Sequence, residues 1–236
     1  MKENDHYETT RNFFRYTAEK MKGFYDAKSE NELHHTGYQK RVRTLVMNHV
    51  AGLLHVDDRC RSLIDVGCGR GDFTQDIARR FPELESVCGS DFSPETLAIA
   101  RQELTRLPPE LARRISFQEA DILQLPFADR SIDITLCINM IHHVHQKDRP
   151  QALAELARIS SRYIILEIKN RNNIFYKMAD IHRHVGDGSV HVYATSIPEV
   201  CTELGNHGFA RLSKNGIFIF QFLSPISLVV LQRIRD

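Results

Sequence analysis

Residues 63–73, Leu-Ile-Asp-Val-Gly-Cys-Gly-Arg-Gly-Asp-Phe, constrain the fold more than any other part of the chain. An apolar run ends in glycines at three alternate positions, Gly67, Gly69 and Gly71, and a helix-compatible segment follows at once. Such a run reads as a buried strand, a tight turn without Cβ atoms where a ligand approaches the backbone, and a helix N-terminus. That geometry binds nucleotide-like ligands at the carboxyl ends of parallel strands. Here the spacing is Gly-x-Gly-x-Gly, and Asp72 stands where a dinucleotide fingerprint would place its third glycine. An acid at that point suits a cationic amino-acid moiety better than a pyrophosphate.

Around this turn the chain alternates strand and helix. Strands are expected over 62–67, 86–91, 115–121, 132–139 and 163–169, with two more around 210–222 and 226–234. Helices are expected over 72–80, 93–107, 149–159 and 196–206, with Ser93 and Ser196 as N-caps and Pro94 and Pro198 early in their helices. The alternation argues for a parallel sheet covered on both faces. Ahead of it, residues 8–25 form an aromatic-rich helical segment, followed by the polar stretch 26–37. Val42, Leu45, Val46, His49, Val50, Leu53 and Leu54 then give a helical stripe that should pack on the sheet. Residues 1–60 are expected to be a helical cap and lead-in, with the aromatic segment closing over the site to exclude water. Residues 61–236 form the ligand-binding part, with an insertion at 170–194 lining the pocket, and the whole is one structural domain.

Composition narrows the functional classes. A chain of 236 residues is long enough for one sizeable core and short for two domains. The net charge of +1 offers no steering toward nucleic acid or an anionic membrane. Five cysteines without a Cys-x-x-Cys pair read as reduced thiols in a cytoplasmic protein. The N-terminus is too polar for a signal peptide, and no run approaches the roughly 20 apolar residues of a membrane span.

Asp91 ends the second expected strand, 20 residues after Gly71. A carboxylate there can accept both hydroxyls of a ribose. The glycine turn with this spacing resembles the class I S-adenosylmethionine (SAM) dependent methyltransferases over residues 60–235, with the specific motifs confined to 62–143. The resemblance implies a Rossmann-like three-layer α-β-α sandwich, a seven-stranded, mostly parallel sheet with an antiparallel last strand. It implies SAM as cofactor, with S-adenosylhomocysteine (SAH) as product. Gly67, Cys68, Gly69 and Gly71 would form the cofactor turn, Asp65 would lie near the amino end of SAM, and Asp91 would hold the ribose. Phe92 would offer an apolar face to the adenine. Asp121 would accept from the adenine amino group, with Ala120 and Ile122 beside the ring. Asn139 would also belong to the cofactor site, and the segment it opens would face the substrate.

That segment, Asn139-Met140-Ile141-His142-His143, lacks the Asn/Asp-Pro-Pro-Tyr/Phe arrangement of enzymes that methylate nucleobase or glutamine nitrogens. His142 and His143 are adjacent and point apart, and no carboxylate follows at ligand spacing, so no metal site is expected. Either can be a general base, His143 first, because an imidazole titrates in the right range for a hydroxyl or amine acceptor. A plain structural role is the alternative for both, and for His182, His184 and His191. By elimination the acceptor is a small molecule, with oxygen, nitrogen or carbon undecided and the oligomeric state open. Two rival readings are a nicotinamide-dependent oxidoreductase and a non-catalytic SAM-binding or partner protein.

Overall fold

The computed structural model describes residues 37–173, 193–217 and 224–234. The aromatic segment 8–25, most of the 170–194 insertion and His182, His184 and His191 lie outside the described residues.

Leu63, Ile64 and Val66 are apolar on both sides of the chain, as a strand buried on both faces requires. They form β1 (Ser62–Val66), which pairs in parallel with β2 (Ser86–Asp91) on one side and β4 (Ile132–Cys137) on the other. Beyond them lie β3 (Ile115–Glu119) and β5 (Ser160–Lys169). The strand β7 (Ile226–Arg233) runs antiparallel between β5 and β6 (Phe209–Gly216), giving the order β3-β2-β1-β4-β5-β7-β6. Six strands therefore run one way and the last in sequence runs the other, as expected.

Two apolar layers flank this sheet. On one face lie α1 (Gly37–Val56), α2 (Asp72–Arg80), α3 (Pro94–Leu104) and the short α4 (Pro109–Ala112). Val42, Val46, Val50 and Leu53 of α1 join Ile77, Leu97 and Leu111 against Leu63, Leu136, Ile165 and Leu228. On the other face, α5 (Arg149–Ile159) and α6 (Ile197–Asn206) bury Leu153, Leu156, Val200 and Leu204 against Ile64, Val66, Ile164 and Val229. Burying one such leucine or isoleucine is worth about 1.5–3 kcal/mol, so the layers, not the turns, hold the sheet.

The helix starts follow local chemistry. Ser93 Oγ accepts from Thr96 N at 3.2 Å. Ser196 and Glu199 form a reciprocal capping box at the start of α6. The helix expected to reach 107 ends at Leu104, where the Thr105 hydroxyl donates to Gln102 O and Pro108 follows. Strand β4 ends at Cys137 rather than 139, because Asn139 turns into left-handed backbone at φ 53°.

Candidate active site

The site is built from the carboxyl ends of β1, β2 and β4. After β1, Gly67 N and Cys68 N both donate to Ser90 O of β2, at 2.7 and 2.9 Å. This folds the turn back over the neighbouring strand. Gly67, Gly69 and Gly71 all have positive φ, at 80°, 56° and 76°. Their missing side chains answer different needs, which corrects the expectation that all three clear space for a ligand. A Cβ on Gly71 would lie 2.4 Å from the Phe117 ring, and one on Gly67 would lie 2.4 Å from Met140. Those two glycines permit close internal packing. Only Gly69 of the three looks into open space, with nothing within 4 Å of the Cβ position.

Asp91 is tied to that open position. Its Oδ2 accepts from Gly69 N at 2.9 Å and its Oδ1 from Ser93 N at 3.0 Å. Burial pushes its pKa up, against the pull of those N–H donors. Each oxygen keeps a second lone pair for a ligand hydroxyl. Ala120 N donates to Asp91 O at 3.0 Å, which brings the segment after β3 alongside the end of β2. There Asp121 Oδ1 accepts from Leu123 N at 2.9 Å, Phe92 is half-buried, and Ile122 is buried in the opposite apolar layer. Helix α5 fixes this segment: Glu155 accepts from Leu125 N, and Arg158 donates to Leu125 O and Phe127 O.

A cavity of about 220 Å³ opens on the other side of the turn. Asp65, Gly67, Cys68, Gly69 and Asn139 line it, as does Asp72 at the start of α2; Gly71 does not. Asp65 is 3% exposed, and its Oδ2 accepts from the buried Thr74 hydroxyl at 2.9 Å. Thr74 is the partner that a charge inside an apolar run demands. Burial nevertheless raises the Asp65 pKa to about 6. Sequence reasoning missed the rest of the wall. Val42 and Arg43 reach it from α1, with Arg43 also paired to Asp76 at 2.8 Å and stacked over Phe73. Glu167 reaches it from β5 and is fully buried.

A family model described as "Methyltransferase domain" matches residues 63–162, which span this whole arrangement from β1 through α5. Residues 63–162 are thus similar to a methyltransferase domain. Over 112 residues it is 37% identical to a demethylmenaquinone methyltransferase of Deinococcus radiodurans, covering 45% of this chain and 43% of that protein. Over 119 residues it is 34% identical to the ubiquinone/menaquinone biosynthesis C-methyltransferase UbiE of Geotalea daltonii, covering 49% of this chain and 48% of the other. The chain thus spans less than half the length of these curated relatives. The fold matches the crystal structure of magnesium protoporphyrin IX methyltransferase from Synechocystis PCC 6803 with bound SAH, at TM-score 0.67. That match has 18% identity and covers 86% of this chain and 92% of the other.

The two histidines after β4 differ in burial, but their rings lie against each other rather than pointing apart as expected. They lie on a 3₁₀ turn, Ile141–His143, with ring centroids 4.2 Å apart. His142 is fully buried, and its Nε2 lies 2.6 Å from Lys169 Nζ at the end of β5. An ammonium only donates, so His142 accepts through Nε2 and carries its proton on Nδ1. A second proton would set two cations against each other. His143 is half-buried and stands outside the described lining of the cavity. Among the described residues no group of His, Cys, Asp and Glu converges as a metal site, and no helix is long and apolar enough to cross a membrane.

Proposed function

We propose that the domain transfers a methyl group from SAM to a small-molecule acceptor, releasing SAH. The observation that carries this is Gly69, whose backbone faces open space while its N–H holds the carboxylate of Asp91. A turn that bare, beside a strand-end acid, fits a ribose. The adjoining cavity with Asp65 on its wall fits the amino-acid end of the same molecule. Asp65 would hold the ammonium, Asp91 the ribose hydroxyls, and Phe92, Ala120, Asp121 and Ile122 the adenine. Gly67, Cys68 and Asn139 would flank the rest.

Bound SAM supplies a methyl group on positively charged sulfur, so the protein's work is alignment and the exclusion of water. His143 would take a proton from the acceptor, since His142 is engaged with Lys169. A small acceptor is favoured by the net charge of +1 and by the absence of the Asn/Asp-Pro-Pro-Tyr/Phe arrangement. The quinone acceptors in the names of two relatives favour it too. All five cysteines are free thiols, in keeping with the cytoplasm.

Calorimetry with SAH and NADH, followed by SAH release in the presence of hydroquinones, phenols and amines, tests the reading. The expected result is SAH binding, no NADH binding, and turnover with at least one acceptor class. NADH binding in place of SAH would restore the oxidoreductase reading. SAH binding without turnover on any acceptor would make this a non-catalytic SAM-binding protein.

A further inference from the structure

A second cavity, of about 660 Å³, lies between the first turns of α5 and α6. These helices cover the face of the sheet opposite to α1 and α2, and the two cavities share no lining residue. The volume is that of a small-molecule site. Arg149 stands on its wall and is 6% exposed. Among the described residues only its Nη2 finds acceptors, Val144 O and Tyr193 O. Its Nε is buried with no hydrogen-bond partner. The acids nearby are committed elsewhere. Glu199 is paired with Arg171 and also accepts from the Thr195 hydroxyl and Ser196 N, and Glu203 lies 3.6 Å from His207. Burial works against the charge of Arg149, while the fields of Glu199 and Arg171 oppose each other.

A guanidinium enclosed this far is costly unless an anion or further acceptors meet it. The rest of the wall fixes the kind of anion. Pro150, Leu153, Pro198 and Val200 offer an apolar bed. Glu199 and Glu203 border the same space, so a second negative charge on the ligand would meet repulsion. We propose that this cavity binds an organic monocarboxylate, with its acid group on Arg149 and its apolar body against the prolines, Leu153 and Val200. The positive ends of α5 and α6 favour the acid group at the same place. This site does not depend on the cofactor reading.

The test is calorimetry of the full chain, as wild type and Arg149→Gln, with benzoate, hexanoate, neutral benzamide and inorganic phosphate. Benzoate or hexanoate is expected to saturate one site per chain, with benzamide and phosphate at least about 10-fold weaker, the size of a charge-assisted contact. Arg149→Gln should lower carboxylate affinity about 10-fold or more. The proposal is overturned by no saturable carboxylate binding, by benzamide or phosphate binding as tightly as benzoate, or by unchanged affinity in Arg149→Gln. Direct competition between benzoate and SAH would overturn it too, because it would put benzoate in the cofactor cavity. Should Arg149→Gln not fold, Thr202→Asp takes its place, since Thr202 is exposed on the cavity wall. The added negative charge should weaken benzoate binding and spare that of benzamide, and unweakened benzoate binding there refutes the idea.

Discussion

Asp91 and Gly69 act as one unit, because the carboxylate of one holds the N–H of the other. Asp91→Ala should remove two charge-assisted hydrogen bonds to the ribose, each worth roughly 1.5–3 kcal/mol, and free the turn as well. SAM affinity measured by calorimetry should fall about 100-fold or more. Gly69→Val should abolish binding by filling the open space and straining a backbone at φ 56°. Asp65 gives a prediction with a sign. Its folded pKa, about 6, lies above the ordinary 3.8, so the protonated form is the one the fold favours. The associated stability is fully present below pH 4 and is lost as pH rises through about 6, roughly 3 kcal/mol in all. Chemical denaturation should therefore find Asp65→Asn more stable than wild type at pH 7 and little different at pH 4, with SAM binding impaired. Asp91 was legible because it ends a strand 20 residues after Gly71, and Asp65 because it breaks an apolar run. Glu167 breaks Tyr-Ile-Ile-Leu-Glu-Ile in the same way, so its signal was present in the sequence and went unread. Arg43 carried no such signal: an arginine on an amphipathic helix looks like any solvated charge until the helix is docked.

At the scale of elements, the 3₁₀ turn after β4 buries His142 against Lys169 and leaves His143 half-buried. His143→Ala should lower turnover about 10²–10⁴-fold with SAM affinity near normal, and the acid limb of the pH–rate profile should vanish with it. His142→Ala should instead lower the melting temperature, since it deletes a fully buried ring and leaves Lys169 without that contact. If both variants lose stability together and the folded fraction keeps its rate, His143 only holds the loop. Most element boundaries could be read from sequence, because Ser93-Pro94, Ser196 and Pro198 mark helix starts chemically. The end of β4 could not. Asn139 tolerates left-handed backbone, and an apolar Cys-Ile on either reading fits a strand. Nor does alternation in sequence say that β7 inserts between β5 and β6. That order depends on which edge of the sheet remains unpaired after five parallel strands have formed.

Across the whole molecule, one ligand would touch nearly every layer. The turn after β1, the ends of β2 and β4, the wall of β5 and the first turns of α1 all border the proposed cofactor volume. The fold encloses Asp65 there at an energetic cost, and a bound cation would relieve it. Binding should therefore stabilise the domain globally rather than only at the turn. At a ligand concentration 100 times Kd the gain is about 2.7 kcal/mol. For a domain of this size each kcal/mol moves the melting temperature by about 2–4 °C. Saturating SAH should thus raise Tm by about 5–10 °C, and the rise should disappear in Gly69→Val. The gain should also grow with pH between 5 and 7, because Asp65 must be ionised to hold an ammonium and apo protein keeps its proton up to about pH 6. A scanning-calorimetry series across that range decides the matter. A shift independent of pH would mean that the ammonium is held elsewhere and that Asp65 serves only Thr74 and the α2 start.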